Sequence, residues 1–262
     1  MNGKAVEDWL FPLRERGLIP SGVLAAFVVG SAARGWHNAR SDFDVYIVAC
    51  AERVSPTSCS VPVPLEPPCL HTELFYAQGR RWEVTYWLES QIDQIFDKVS
   101  WEAFESGGGT EDILALREEL FLARLGTCVP LLGADWVERS RARLAASAFR
   151  SCAVVRSLGA TDDAVEDALG QLEAGDLESA TISARMAFGH VIDALLESLG
   201  EYGSHLPKWR PNRFKAVAPQ AVSFAEYWRI ETMQGYDAAD PAPWIKEVLT
   251  LCQDLAMRVD TS

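Results

Sequence analysis

Residues 23–49 read VLAAFVVGSAARGWHNARSDFDVYIVA, and the fold turns on them. The apolar run Val23–Val29 stops at Gly30, the pattern of a buried strand followed by a turn. Asp42–Ala49 is a second strand, rich in β-branched and aromatic residues. Period-two alternation puts Asp42 and Asp44 on one face of it and Phe43 and Val45 on the other. Gly30 and Ser31 stand where the first strand gives way to a helix, so backbone N–H groups and the Ser31 hydroxyl are able to face an anion, and phosphate is the natural one. Two carboxylates beside a phosphate cradle repel each other unless a divalent cation lies between them, and hard oxygen donors select Mg2+. The competing reading is a turn glycine beside an edge strand whose acids are solvated.

Further along, Thr72–Ala77 and Arg81–Leu88 flank Gln78-Gly79 and read as a β-hairpin. Glu83 is an isolated acid among Trp82, Val84 and Trp87. If its strand lies beside that of Asp42, it completes a three-carboxylate site able to hold two metal ions for an in-line phosphoryl displacement. Between the strands, prolines 56, 62, 64, 67 and 68 exclude a helix or interior strand over residues 51–70 and predict a long surface loop. From Glu89 onward the pattern is helical, with breaks at Gly107–Gly109, Leu132-Gly133, Leu158-Gly159, Gly175, Leu199–Pro207 and Asp240-Pro241. Ile182, Met186, Ile192, Leu195, Leu196 and Leu199 recur at helical spacing. The fold class is therefore α/β (α+β): an α/β domain over residues 1–106 and a helical domain over 110–262, with the glycine run between them.

The 262 residues suit one large domain or two small ones, and 48% hydrophobic with 23% charged residues is an ordinary globular composition. The formal net charge of -13 disfavours nucleic acid or an anionic membrane as a partner. A cationic ligand and plain solubility both remain open, and the acidic excess is spread over both halves. The longest apolar run is too short to span a bilayer, and the start mixes acids with bases, so a cytoplasmic protein is expected. The six cysteines at 50, 59, 69, 128, 152 and 252 contain no C-x-x-C pair, which points to free thiols and away from structural zinc.

The pattern Gly30-Ser31, then Gly35, then Ser41-Asp42-x-Asp44, then Glu83-Val84-Thr85 resembles the DNA polymerase beta-type nucleotidyltransferase superfamily. Within it, the spacing is most similar to the streptomycin/spectinomycin aminoglycoside adenylyltransferases. The motifs span residues 27–88. The resemblance implies a polymerase beta-like domain with a mixed sheet, and a helical bundle that completes the nucleotide and acceptor cleft. It implies that Gly30 and Ser31 hold the terminal phosphates of ATP or another NTP, with Arg34, Ser41 and Lys208 also at the nucleotide. Asp42, Asp44 and Glu83 would bind two Mg2+ ions, and Glu83 would also take the proton of the acceptor hydroxyl. A metal-bound carboxylate is a poor base, so Glu173, Asp176 and Glu178 are alternative bases on the helical side.

Weaker signals follow. Lys208, Arg210, Arg213 and Lys215 in HLPKWRPNRFK, residues 205–215, form either a cluster for triphosphate charge or a solvated face. Arg185 and His190 resemble the R-x4-H motif of HEPN ribonucleases, yet five residues on a helix turn through about 500° and separate the two side chains; a core or capping histidine is the other reading. Trp36, Trp87, Trp101 and Trp209, with Glu102, Glu105 and Asp176, suit an aromatic and acidic acceptor wall or are core. Trp101, Glu105 and Asp176 are the chosen acceptor residues, and His37 and Asn38 are further candidates near the nucleotide. The expected activity is Mg2+-dependent transfer of AMP from ATP to a hydroxyl of a small molecule, such as an aminoglycoside-like antibiotic or a biosynthetic intermediate. The alternative is a regulatory or toxin-neutralising nucleotidyltransferase that modifies or binds a partner protein.

Overall fold

The computed structural model describes residues 3–107 and 113–261 and divides into two compact units, Met1–Ser100 with Leu114–Ser147, and Trp101–Ile113 with Ala148–Ser262. Gly108 and Gly109, and the expected start of a helical domain at residue 110, lie outside the described residues. A mixed sheet in the first unit and helices in the second give the fold class that the sequence implies.

The sheet contains β1 (Val23–Val29), β2 (Phe43–Ala49), β3 (Cys59–Pro62), β4 (Cys69–Ala77), β5 (Arg80–Leu88) and β6 (Val129–Leu132), in the order β3-β4-β5-β2-β1-β6. β2 and β5 are parallel and every other pair is antiparallel. The central strands are apolar on both sides because both faces are covered. On one face Leu10 and Leu13 of α1 (Gly3–Glu15) join Val28, Val45, Ile47, Trp82 and Val84 in a buried cluster. On the other, α5 (Leu116–Leu125) lays Phe121 against Phe27, Tyr46 and Trp87, with ring centroids 6.5, 5.9 and 4.8 Å away. Alternation along β2 thus sends Val45 and Ile47 to the first face and Asp44 and Tyr46 to the second.

Several elements differ from the sequence reading. The proline-rich stretch is not loop throughout: β3 lies within it at the sheet edge, where proline's missing N–H costs no interior ladder bond, and Val63 and Leu65 are buried. β6 lies where only helix is expected, because a four-residue edge strand of sequence VPLL has too little periodicity to be read. It is followed by Gly133, the N-cap of α6 (Ala134–Ala146), at φ +66°. A Cβ there would lie 1.9 Å from the Leu24 carbonyl oxygen, so glycine is required both by conformation and by the close approach of β1. The break expected at Leu158-Gly159 is absent: α7 (Phe149–Ala174) runs through it and ends at Gly175, which caps it at φ +81°.

In the second unit α7 and α8 (Leu177–Ser198) form a helical hairpin. The buried cluster here includes Phe188, Leu195 and Leu196 of α8, Phe214 of α9 (Arg210–Val217), Tyr227 and Ile230 of α10 (Phe224–Glu231) and Val248 and Leu249 of α11 (Ala242–Ala256). Ile192, Leu195 and Leu196 are core as the spacing predicts, but Ile182 and Met186 are 55% and 53% exposed. The core also holds ions. Asp193 of α8 accepts from Arg210 Nη2 at 2.6 Å and Nε at 3.1 Å, and from Arg213 Nη2. Two of the four cations in the 205–215 cluster are therefore buried structural partners of one aspartate, so neither the solvated-face nor the triphosphate reading describes them. Removing one partner of such a set costs about 3–5 kcal/mol, since it strands a buried charge.

One turn beyond Asp193, Glu197 is fully buried and accepts from Ser157 Oγ at 2.6 Å. Burial, reinforced by the charge of Asp193, pushes its carboxyl up to about 7 from an ordinary 4.5. Between those two pH values this carboxyl is more protonated in the folded chain than in the unfolded one, so its contribution to stability falls as pH rises through that window and levels off above about 7. Glu197→Gln is expected to remove that slope. Urea unfolding at pH 5 and pH 8 should show wild type losing on the order of 3 kcal/mol relative to the variant across the window; parallel pH profiles would assign the slope elsewhere.

Candidate active site

The parallel pairing of β2 with β5 sets Asp44 directly beside Glu83, and the antiparallel pairing of β2 with β1 sets Asp44 beside Val29, the residue before Gly30. Asp42 precedes β2 on the same face by alternation. The sequence-predicted trio of carboxylates and the Gly30 turn thus come together at one end of three adjacent strands. Glu83 lies within β5, which begins at Arg80, one residue earlier than the sequence reading has it.

Gly30 opens the four-residue helix α2 (Gly30–Ala33) at φ +67°. A Cβ on it would stand 2.7 Å from Asp44 Oδ2, so the missing side chain makes the space in which that carboxylate sits. Asp44 is partly buried, and its carboxyl is raised above the ordinary range. Burial is the largest cause; Glu83 and Asp42 add to it, while Arg124 and Arg81 oppose it. The rise is thus first a consequence of burial, and the neighbouring acids add to it.

Two arginines supply what charge there is, and sequence reading missed both. Arg81 lies two residues before Glu83 and so on its face, and its Nη2 is 3.2 Å from Asp42 Oδ2 and 3.5 Å from Glu83 Oε2. One guanidinium nitrogen thus bridges two of the three acids. Strand alternation from Glu83 was a sufficient signal to find it. Arg124 comes from α5, and its Nη1 donates to the Tyr46 hydroxyl at 2.8 Å. Tyr46 is two residues after Asp44, and the Arg124 charge acts on both Asp44 and Glu83. No local pattern announces Arg124, since its place depends on how α5 crosses the sheet.

The other nucleotide-side candidates lie in the α2–β2 connection. The Ser31 carbonyl accepts from Trp36 N–H at 2.9 Å, and the Arg34 guanidinium stacks 3.9 Å from the Trp36 ring. The Ser41 hydroxyl accepts from Asn38 N–H at 3.0 Å. Arg80 reaches over from β5 to donate to the carbonyls of Asn38 at 2.7 Å and Ser41 at 3.3 Å, which holds the connection against the sheet. His37 packs edge-on to Phe43, 6.1 Å between centroids.

The remaining candidates belong to the second unit. Lys208 is exposed in the 3-10 turn Pro207–Trp209, its ammonium 5.6 Å from the Trp209 ring, and Lys215 lies over Phe224. Trp101 and Glu105 are exposed on α4 (Trp101–Glu105), with Trp101 edge-on to Phe104. Asp176 is the N-cap of α8: its Oδ1 accepts from Ser179 N–H at 3.1 Å, and hydrogen bonding from the Ser179 hydroxyl, with this N–H second, lowers its pKa. Glu173 and Glu178 are exposed on either side of the same turn. Trp87 is core, packed on Phe121. Arg185 is exposed whereas His190 is half-buried near Asp193, and burial lowers the pKa of its imidazole.

No protein-family model and no curated protein matches this sequence. Among solved structures, one described as a nucleotidyltransferase-like protein from Exiguobacterium sibiricum 255-15 is similar to it, with a TM-score of 0.49 and 9% sequence identity over 97% of this chain and 75% of that one. Among the described residues no helix is long and apolar enough to cross a membrane.

Gly35 provides an internal control for Gly30. Both have φ near +67°, but nothing lies within 4 Å of a Cβ at Gly35. Alanine at either position is expected to cost about 1–3 kcal/mol of backbone strain. Only Gly30→Ala should also displace the Asp44 carboxylate and weaken Mn2+ binding, measured by titration, by about tenfold or more; equal Mn2+ affinities in the two variants would refute this role for Gly30.

Proposed function

We propose that this chain is a Mg2+-dependent nucleotidyltransferase that transfers a nucleoside monophosphate, AMP from ATP, to a hydroxyl of a small-molecule acceptor and releases pyrophosphate. The observation that carries the reading is the convergence of Asp42, Asp44 and Glu83 beside a glycine turn that leaves room for a carboxylate. Three hard, clustered oxygen donors fit Mg2+. When bound, the metal ions would neutralise phosphate charge and lower the pKa of the attacking hydroxyl.

The chain's own residues supply the rest. Asp42, Asp44 and Glu83 would hold two ions, and the Gly30-Ser31 turn would receive the terminal phosphates, with Arg34 and Ser41 beside it and Lys208 contributing charge. The acceptor hydroxyl oxygen attacks the α-phosphorus, the bond to the bridging oxygen breaks, and pyrophosphate leaves with the electron pair. The hydroxyl proton passes to a carboxylate. Asp176 is disfavoured as the base, since its oxygen is committed to a helix cap and its pKa is lowered. Glu83 is preferred through an oxygen free of metal. Arg81, which bridges Asp42 and Glu83 in this structure, would exchange its carboxylate partners for phosphate oxygens as cations enter, a trade between two charge-assisted sets of bonds. Trp101 and Glu105 are proposed acceptor contacts, and an acidic chain suits a polycationic acceptor such as an aminoglycoside better than a nucleic acid.

The test is incubation with NTPs radiolabelled at the α-phosphate, Mg2+ and a panel of hydroxylated acceptors that includes aminoglycosides and lincosamides. Label should move to a small acceptor with pyrophosphate release, EDTA should stop it, and Asp42→Asn or Asp44→Asn should lower kcat/KM by about 100-fold or more. Label appearing on a protein chain instead would favour the partner-modifying alternative. No pyrophosphate release with any pair, or full activity in Asp42→Asn, would sink the proposal.

A further inference from the structure

The carboxylate trio accounts for one end and one face of the sheet. A second cluster of metal-ligating side chains lies elsewhere. Glu52, Cys69 and His71 each offer one donor atom, and the three donors lie within 4.8 Å of one another. Strand alternation explains the pair on β4: residues 69 and 71 point the same way, and the register with β3 sets Cys69 beside Pro62 and His71 beside Ser60. His71 pairs with Tyr86 on β5, whereas Glu83 pairs with Leu74. Cys69 and His71 are thus on the opposite face from Glu83 and Asp44. Glu52 follows the far end of β2, beyond Ala49, about 17 Å along the strand from Asp44 at 3.3–3.4 Å per residue.

We infer that Glu52, Cys69 and His71 form a second metal site, for Zn2+, separate from the carboxylate trio. The donor set is the first argument. A thiolate and an imidazole with one carboxylate are the ligands of Zn2+, whereas Mg2+ takes oxygen alone. Geometry is the second. Cys69 Sγ is 3.8 Å from His71 Nε2, and a tetrahedral ion at the usual Zn–S and Zn–N lengths holds those atoms about 3.6 Å apart. The ring's other nitrogen is the third: Nδ1 lies 3.5 Å from Ser60 Oγ. An Nδ1–H donated to that hydroxyl leaves the Nε2 lone pair facing Cys69, the outer-shell arrangement that orients ligating histidines. His71 is buried, Cys69 half-buried and Glu52 exposed, so the ion would be anchored on the sheet with its fourth position open to solvent or to an added ligand. This inference stands on these residues alone and does not depend on the nucleotidyl-transfer reading.

The experiment is a Co2+ titration of the chelator-stripped full chain. The expected result is a thiolate-to-cobalt charge-transfer band that saturates at one equivalent and is erased by Zn2+. Cys69→Ser should lose the band, and His71→Ala and the exposed Glu52→Gln should each weaken binding about tenfold or more. Cys50→Ser, Cys59→Ser and Asp42→Asn, all with the three ligands intact, should keep it. Far-ultraviolet circular dichroism checks that each variant is folded. Absence of the band in wild type, its survival in Cys69→Ser, its loss in Cys50→Ser or Cys59→Ser, or wild-type affinity in folded Glu52→Gln would overturn the three-ligand site.

Discussion

Like charge on neighbouring strands is the constraint around which the first unit is arranged. The parallel pairing of β2 with β5 sets Asp44 against Glu83, and Asp42 adds a third acid on the same face. Such a set is costly in a folded chain unless something positive attends it, and two arginines do so from different directions. Arg81 bridges the more exposed acids from the same strand as Glu83, and Arg124 approaches from α5 while bonded to the Tyr46 hydroxyl. The Asp44 carboxyl nevertheless stays raised. Burial is the larger cause of that rise, and a bound cation, as proposed, would relieve the repulsion that the neighbouring acids add.

The second unit handles buried charge in the opposite way. Asp193 is saturated by Arg210 and Arg213, and those bonds tie α8 to α9. Glu197, on the next turn of α8, has one long ion pair, with Arg156 at 3.5 Å, and burial holds it toward its neutral form. Here ions are closed off and serve packing; the acids at the central strands β2 and β5 stay partly exposed, attended by Arg81 and Arg124. That contrast sets closed-off structural charge apart from the charge of the candidate site, which composition does not do, since the acidic excess is spread along the whole chain.

Much of the candidate site's geometry was legible because its signals are local. A strand that ends at glycine, two acids two residues apart and an isolated glutamate in an apolar strand each follow from backbone periodicity over a few residues. What escaped was whatever needed a partner distant in sequence. Arg124 gains its role from the crossing of α5 over the sheet, β6 gains strand structure from β1, and Arg210 and Arg213 turn inward because Asp193 waits 17 and 20 residues earlier. The exposure of Ile182 and Met186 has the same origin: helical spacing shows that a face is apolar, but only neighbouring helices decide whether it is covered. Cys69 and His71, two apart on a strand, carry no metal-site spacing until the chain brings Glu52 alongside.

The chain's linear order therefore dictates which residues share a face, where strands must stop, and that Gly30 and Asp44 carry something other than core. Those are consequences of dihedral preference and the two-residue repeat, which act within a few bonds. The tertiary structure alone decided that β2 and β5 lie parallel in the register Asp44 to Glu83, that Arg81 and Arg124 attend the acids, and that Gly30 stands where a side chain would strike Asp44. Register and long-range charge pairing depend on the packing of both sheet faces, and no short window of sequence contains both faces.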